Sequence, residues 1–241
     1  MRYLLILCCY FPLGLLAQVG ERMMPTPENY EWAMGLETPT NDDVEQMVPL
    51  AENYFEVNYD SAFALAERVV AIDSTQLADT TLVRQLYTQA LIFDRKQQYE
   101  QTQSIAENAL QQAENLNSIR LTAQIKSMLG RGAADRQNFQ TALELFNAAA
   151  DGFGMTKDSV NWIKNRIYSA RILGYIDSWD AGLTILEELY PVARRTKNSM
   201  VITEVPYWIG VAYGKFFLQY YNQIRSGDFD NGSKKEYVDS V

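Results

Sequence analysis

The side chains that carry most enzyme chemistry are scarce in this chain. Its 241 residues include no histidine, and the two cysteines, Cys8 and Cys9, are neighbours inside the opening segment MRYLLILCCYFPLGLLAQ. If that segment is a removed leader, the remaining protein has neither residue type. Disulfides, thiol nucleophiles, zinc sites built on Cys or His and serine mechanisms with a histidine base are then excluded. Asp, Glu, Lys, Tyr and Ser remain. With 30 acidic residues, accidental carboxylate pairs are inevitable, and no pair stands out as a general acid and base. A hydrolase working through two carboxylates has only that abundance in its favour. We expect a protein that is not an enzyme, with no cofactor and no metal.

The opening segment itself has the layout of a secretory signal peptide: Arg2, an apolar run over residues 4–16 broken by Pro12 and Gly14, and small Ala17. The run is too short to span a bilayer as a permanent helix. A lipid anchor needs a small residue before its cysteine, whereas Leu7 precedes Cys8. The expected mature chain starts near Gln18, in the periplasm or outside the cell, without stable membrane insertion after cleavage. A net charge of -9 repels phosphate backbones and anionic lipid surfaces, so nucleic acid is not an expected partner.

The elements that would position any site come next. Residues 18–41, with Pro25, Pro27 and Pro39, read as an extended linker. Over residues 42–225 apolar residues recur at helical spacing, as in Val44, Met47, Val48 and Ala51, or Ile105, Ala106, Ala109 and Leu110. Residues 226–241 form a polar tail rich in Gly, Asp and Ser.

Within the helical stretch the chain repeats. Segments starting at Tyr59, Tyr99, Phe139 and Trp179 are 40 residues apart. Three residues after each aromatic stand Ala62, Thr102, Ala142 and Gly182; after seven, Ala66, Ala106, Phe146 and Leu186; after ten, Val69, Ala109, Ala149 and Leu189. The preceding helix of each unit carries a small residue in column: Ala90, Gly130, Ala170 and Gly210, with Leu50 as the exception. A glycine inside a helix costs about 1 kcal/mol relative to alanine. At Gly130 the column explains it as a point where a neighbouring helix approaches closely.

These residues resemble the tetratricopeptide repeat, a helix–turn–helix unit with large apolar, glycine and aromatic residues on helix A and alanine, aromatic and alanine residues on helix B. The third unit carries the likeness best, with Leu129 and Gly130, then Ala142, Phe146 and Ala149; Ile209, Gly210 and Tyr213 repeat the helix A half. The family unit is about 34 residues, so long-helix units are expected here. Its closing proline is replaced by Ser74, Glu114, Gly154 and Arg194. The resemblance implies an all-α, right-handed solenoid of antiparallel helix pairs, about four and a half units long. The fifth unit has a clear helix A but no second helix. Its aromatics Phe216, Phe217, Tyr220 and Tyr221 serve either as a cap or as an exposed docking patch.

In that family the concave face, lined mainly by helix A, holds peptides or protein segments. Carried over, its groove positions fall on Val44, Arg84, Gln124, Lys164 and Glu204, and on Ala51, Leu91, Arg131, Arg171 and Val211. The resemblance therefore implies a peptide-binding set of Arg84, Tyr87, Arg131, Lys164, Arg171 and Tyr175, suited to an acidic protein or peptide because arginine forks match carboxylates. The alternative is that these are ordinary solvated charges on amphipathic helices. The expected function is a protein- or peptide-binding scaffold. A second reading is the extracytoplasmic sensory module of a signalling system, acting through a partner or as a fragment of a longer receptor.

Overall fold

The computed structural model describes residues 25–55 and 57–226. The expected leader at residues 1–17 and the expected tail beyond Ser226 lie outside the described residues. Among the described residues the regular structure is entirely helical: α1 (Pro27–Gly35), α2 (Asn41–Tyr54), α3 (Tyr59–Val70), α4 (Asp79–Arg95), α5 (Tyr99–Asn115), α6 (Ile119–Asp135), α7 (Phe139–Met155), α8 (Ser159–Tyr175), α9 (Trp179–Arg195) and α10 (Ser199–Ser226), with one 3-10 turn at Ser74–Gln76. Two compact units divide at the Ala109–Leu110 bond, inside α5.

In the first unit α2 packs on α3, α3 on α4, and α2 also touches α4, while α1 lies on α2 and α3. The helix α1 occupies a segment whose prolines pointed to an extended linker. Thr26 caps it, its hydroxyl accepting from Asn29 N–H at 3.3 Å, and Pro27 stands in the first turn. There the missing proline N–H removes no intrahelical bond, so the residue favours the helix start. Both ends of α1 are tied down: the Tyr54 hydroxyl donates to the Thr26 carbonyl at 2.8 Å, and Arg68 Nε donates to the Ala33 carbonyl at 2.9 Å. Thr40 and Asp43 then close a reciprocal capping box that starts α2. Where α3 ends early, buried Gln85 of α4 donates to the carbonyls of Val69, Val70 and Ile72, satisfying acceptors that a longer helix would have paired internally.

The second unit is more regular. Successive helices α6 to α10 each pack on the next, and α8 also touches α10. From α4 to α9 every helix is 17 residues long. The turns that join α4 through α10 each contain a residue with positive φ, at Gln97, Asn117, Gln137, Lys157, Asp177 and Lys197, twenty residues apart and none of them glycine. At Gln137 the geometry is a Schellman motif: Gln137 N–H bonds the Ala134 carbonyl and Asn138 N–H the Ala133 carbonyl, both at 2.9 Å. The same pair of bonds recurs at Gln97, Asn117, Lys157 and Asp177. The residue that closes each motif is also the N-cap position of the next helix, and Asn138 and Asp158 fill it with side-chain caps. So short a turn leaves consecutive helices antiparallel.

The core follows the 40-residue register. All twelve helix B positions named above are buried, from Ala62 and Thr102 to Leu186 and Leu189. Gly130 faces the ring of buried Phe146 on α7. Forty residues on, Ala170 and Leu186 share one apolar cluster, and a Cβ on Gly182 would come within 2.7 Å of the Ala170 carbonyl oxygen. A second close approach lies at Gly174, where an added Cβ would come within 2.6 Å of the Trp179 ring.

The last repeat breaks the pattern. The twenty-residue spacing would place a left-handed residue at Phe217, where an aromatic side chain makes that conformation costly. The chain instead continues as one helix of 28 residues. The fifth unit's helix A and the aromatic stretch after it are thus a single element.

Candidate functional site

The residues implied for peptide binding fall in both units and have different surroundings. In the first unit Arg84 Nε lies 2.5 Å from Glu45 Oε2 of α2, an ion pair in which both side chains are largely covered. Tyr87 is buried at 8% exposure. The neighbouring groove positions Val44, Ala51 and Leu91 are core residues. In this unit the helix A positions inferred from the repeat point largely inward or are engaged within the protein.

In the second unit the residues gather on α8. Lys164, Tyr168, Arg171 and Tyr175 are spaced by four, three and four residues, which places them on one stripe of the helix, about 16 Å long at 1.5 Å rise per residue. Lys164, Tyr168 and Arg171 are partly exposed, and Tyr175 is 55% exposed. The Tyr175 ring stacks on Phe139 at 5.7 Å between centroids, which fixes it beside the start of α7.

Arg171 is the best-positioned member. Its guanidinium lies 4.5 Å from the Trp208 ring centroid on α10 and 5.8 Å from Tyr168 on its own helix. Both rings are anchored, Trp208 against the apolar cluster around Ile167 and Leu189, and Tyr168 against Phe146 at 5.1 Å. Arg171 Nε is buried with no hydrogen-bond acceptor among the described residues. A planar cation held over aromatic faces gives up little rotamer entropy on binding, and its terminal nitrogens are the donors a carboxylate could reach. The sequence reading missed Tyr168 and Trp208, although both occupy one column forty residues apart; two aromatics in that column, beside an arginine, are the signal that could have found them.

The same stripe positions on α6 hold Gln124, Met128, Arg131 and Asp135, and on α10 Glu204, Trp208, Val211 and Lys215. Arg131 and Lys164 are partly exposed and interact within the protein. Asp135 and Glu204 make the surface mixed in charge rather than uniformly basic. Among the described residues no group of three or more His, Cys, Asp or Glu is placed to hold a metal ion, and no helix is long and apolar enough to cross a membrane. The chain matches no protein-family model, and no curated protein matches it in sequence.

Proposed function

We propose that this is a non-catalytic helical repeat protein of tetratricopeptide type that holds a carboxylate-bearing protein or peptide segment on the α8 stripe. The observation that carries the reading is Arg171, partly exposed and held beside the rings of Trp208 and Tyr168. A carboxylate approaching in the guanidinium plane would gain charge-assisted hydrogen bonds while the rings hold the fork in place. Tyr175 offers an exposed aromatic surface one turn further along the same stripe. The signal-like layout of residues 1–17 supports action outside the cytoplasm; a mature N-terminus near Gln18 in exported material is the check.

The test is a binding titration with acidic peptides and with the same peptides amidated at their carboxylates. The acidic set should bind, more weakly as salt rises, because exposed charge pairs are screened over about 8 Å at physiological ionic strength. Arg171→Gln should remove most of that affinity with little change in helicity, and Arg131→Glu with Arg171→Glu should abolish it. Equal binding of acidic and amidated peptides, or full affinity in the double variant, would overturn the reading.

A further inference from the structure

The outer face of α10 is unlike that of any earlier helix A. Of the eight residues of α6 and α8 that lie forty or eighty positions before Thr203, Tyr207, Gly210 and Gly214, seven (Ala123, Ile163, Ser127, Ile167, Gly130, Ala170 and Gly174) are buried, and Ala134 is partly exposed. On α10 those positions are open. Tyr207 is 63% exposed, and no described atom lies within 4 Å of a Cβ built on Gly210 or Gly214. The stripe continues through Phe217 at 66%, Leu218 at 54% and Tyr221 at 52% exposure. At 100° per residue these six residues span about 100° of the helix, opposite the buried Val201, Val205 and Ala212. From Thr203 to Tyr221 the stripe carries no charge.

Its order is self-complementary. Gly210 and Gly214 lie two residues either side of position 212, Tyr207 and Phe217 five either side, and Thr203 and Tyr221 nine either side. We propose that α10 pairs with α10 of a second copy, antiparallel, about a two-fold axis at the level of Ala212. The glycines of the two copies then face each other and let the backbones approach. Tyr207 meets Phe217 of the second copy, and Tyr221 closes over its Thr203. An isologous contact requires this arrangement, in which each residue's partner is also its partner's partner.

The area is sufficient for such a pair. Three rings of about 150–250 Å² each, each more than half exposed, together with Leu218 and the glycine backbone, offer on the order of 500 Å² per copy. The total of about 1,000 Å² stands at the lower limit of a specific interface, so association should depend on concentration. The face is distinct from the α8 stripe, so this proposal does not depend on the peptide-binding reading.

Sedimentation velocity of the full-length chain, at concentrations up to about 100 μM, tests it. The expected result is a concentration-dependent monomer–dimer equilibrium. Phe217→Asp and Tyr207→Lys should each weaken dimerisation by about thirtyfold or more, the size of an interface hot spot, with unchanged circular dichroism because both side chains project outward. The double variant Tyr207→Lys with Phe217→Asp should recover association, now sensitive to salt, because the antiparallel register opposes the two positions. Failure of the double variant to recover would rule out this register. A wild-type chain that stays monomeric overturns the proposal. A monomeric full chain that dimerises once residues 227–241 are removed would show that the chain's own tail covers the face, and likewise overturn it.

Discussion

A Cβ built on Gly130 lies 2.8 Å from Cε1 and 2.9 Å from Cδ1 of Phe146. Only hydrogen fits between the α6 backbone and that ring, so the low helix propensity of glycine is offset by ring packing at the α6–α7 crossing.

Gly130→Leu should therefore destabilise the protein by about 3 kcal/mol or more through overpacking, although leucine is the better helix former. Gly130→Ala should cost about 1–3 kcal/mol by the same mechanism. Pairing it with Phe146→Leu should recover much of the loss, because the next repeat already uses Ala170 and Leu186 at these positions. Urea unfolding followed by circular dichroism is the measurement; a neutral Gly130→Leu would show that no crossing occurs there.

The turn residues offer stabilising changes. Gln137 and Lys157 hold φ of 60° and 58°, where a side chain is strained and glycine is not. Gln137→Gly and Lys157→Gly should each add about 0.5–1 kcal/mol after the extra entropy of an unfolded glycine is deducted. Asn117→Gly should add less, because asparagine tolerates this conformation. Melting temperatures that fall in the first two variants would contradict the Schellman geometry.

Alkaline pH should release α1. Burial, followed by the nearby Tyr30 and Glu28, raises the Tyr54 hydroxyl above its ordinary titration range. Its folded value thus exceeds the unfolded value of about 10. The contribution is fully present below about pH 10 and is lost as pH rises through the folded value. Tyr54→Phe should cost about 0.5–1.5 kcal/mol at neutral pH by deleting the bond to the Thr26 carbonyl, and should flatten this part of the pH profile. Hydrogen exchange of α1 amides against pH reads both effects, and identical profiles in wild type and variant would refute the assignment.

Much of the fold was legible in the sequence because helical periodicity and the 40-residue column are local and repeated. Ala66, Ala106, Phe146 and Leu186 could be aligned without coordinates, and each is buried. The glycine at 130 followed from its column, since a small residue recurring against large apolar ones marks a crossing. The twenty-residue turns were not legible: Gln, Lys, Asn and Asp at left-handed positions carry no glycine signal, and the Schellman bonds hold them there. The helix at Pro27 was hidden because a first-turn proline looks like a breaker until its cap and its ties to Tyr54 and Arg68 are known.

The sequence by itself determined that the chain is a helical repeat lacking histidine, with cysteine confined to positions 8 and 9, and which basic residues fall in helix A columns. Only the tertiary structure decided which of those residues face an open surface. Arg84 and Arg171 both sit in helix A columns, yet Glu45 of a neighbouring helix pairs with the first, while the rings of Trp208 and Tyr168 frame the second. Periodicity assigns a residue to a face of its own helix; what stands opposite that face is set by packing between helices distant in the chain. For the same reason Gly130 is filled by Phe146 while Gly210, in the same column, is open.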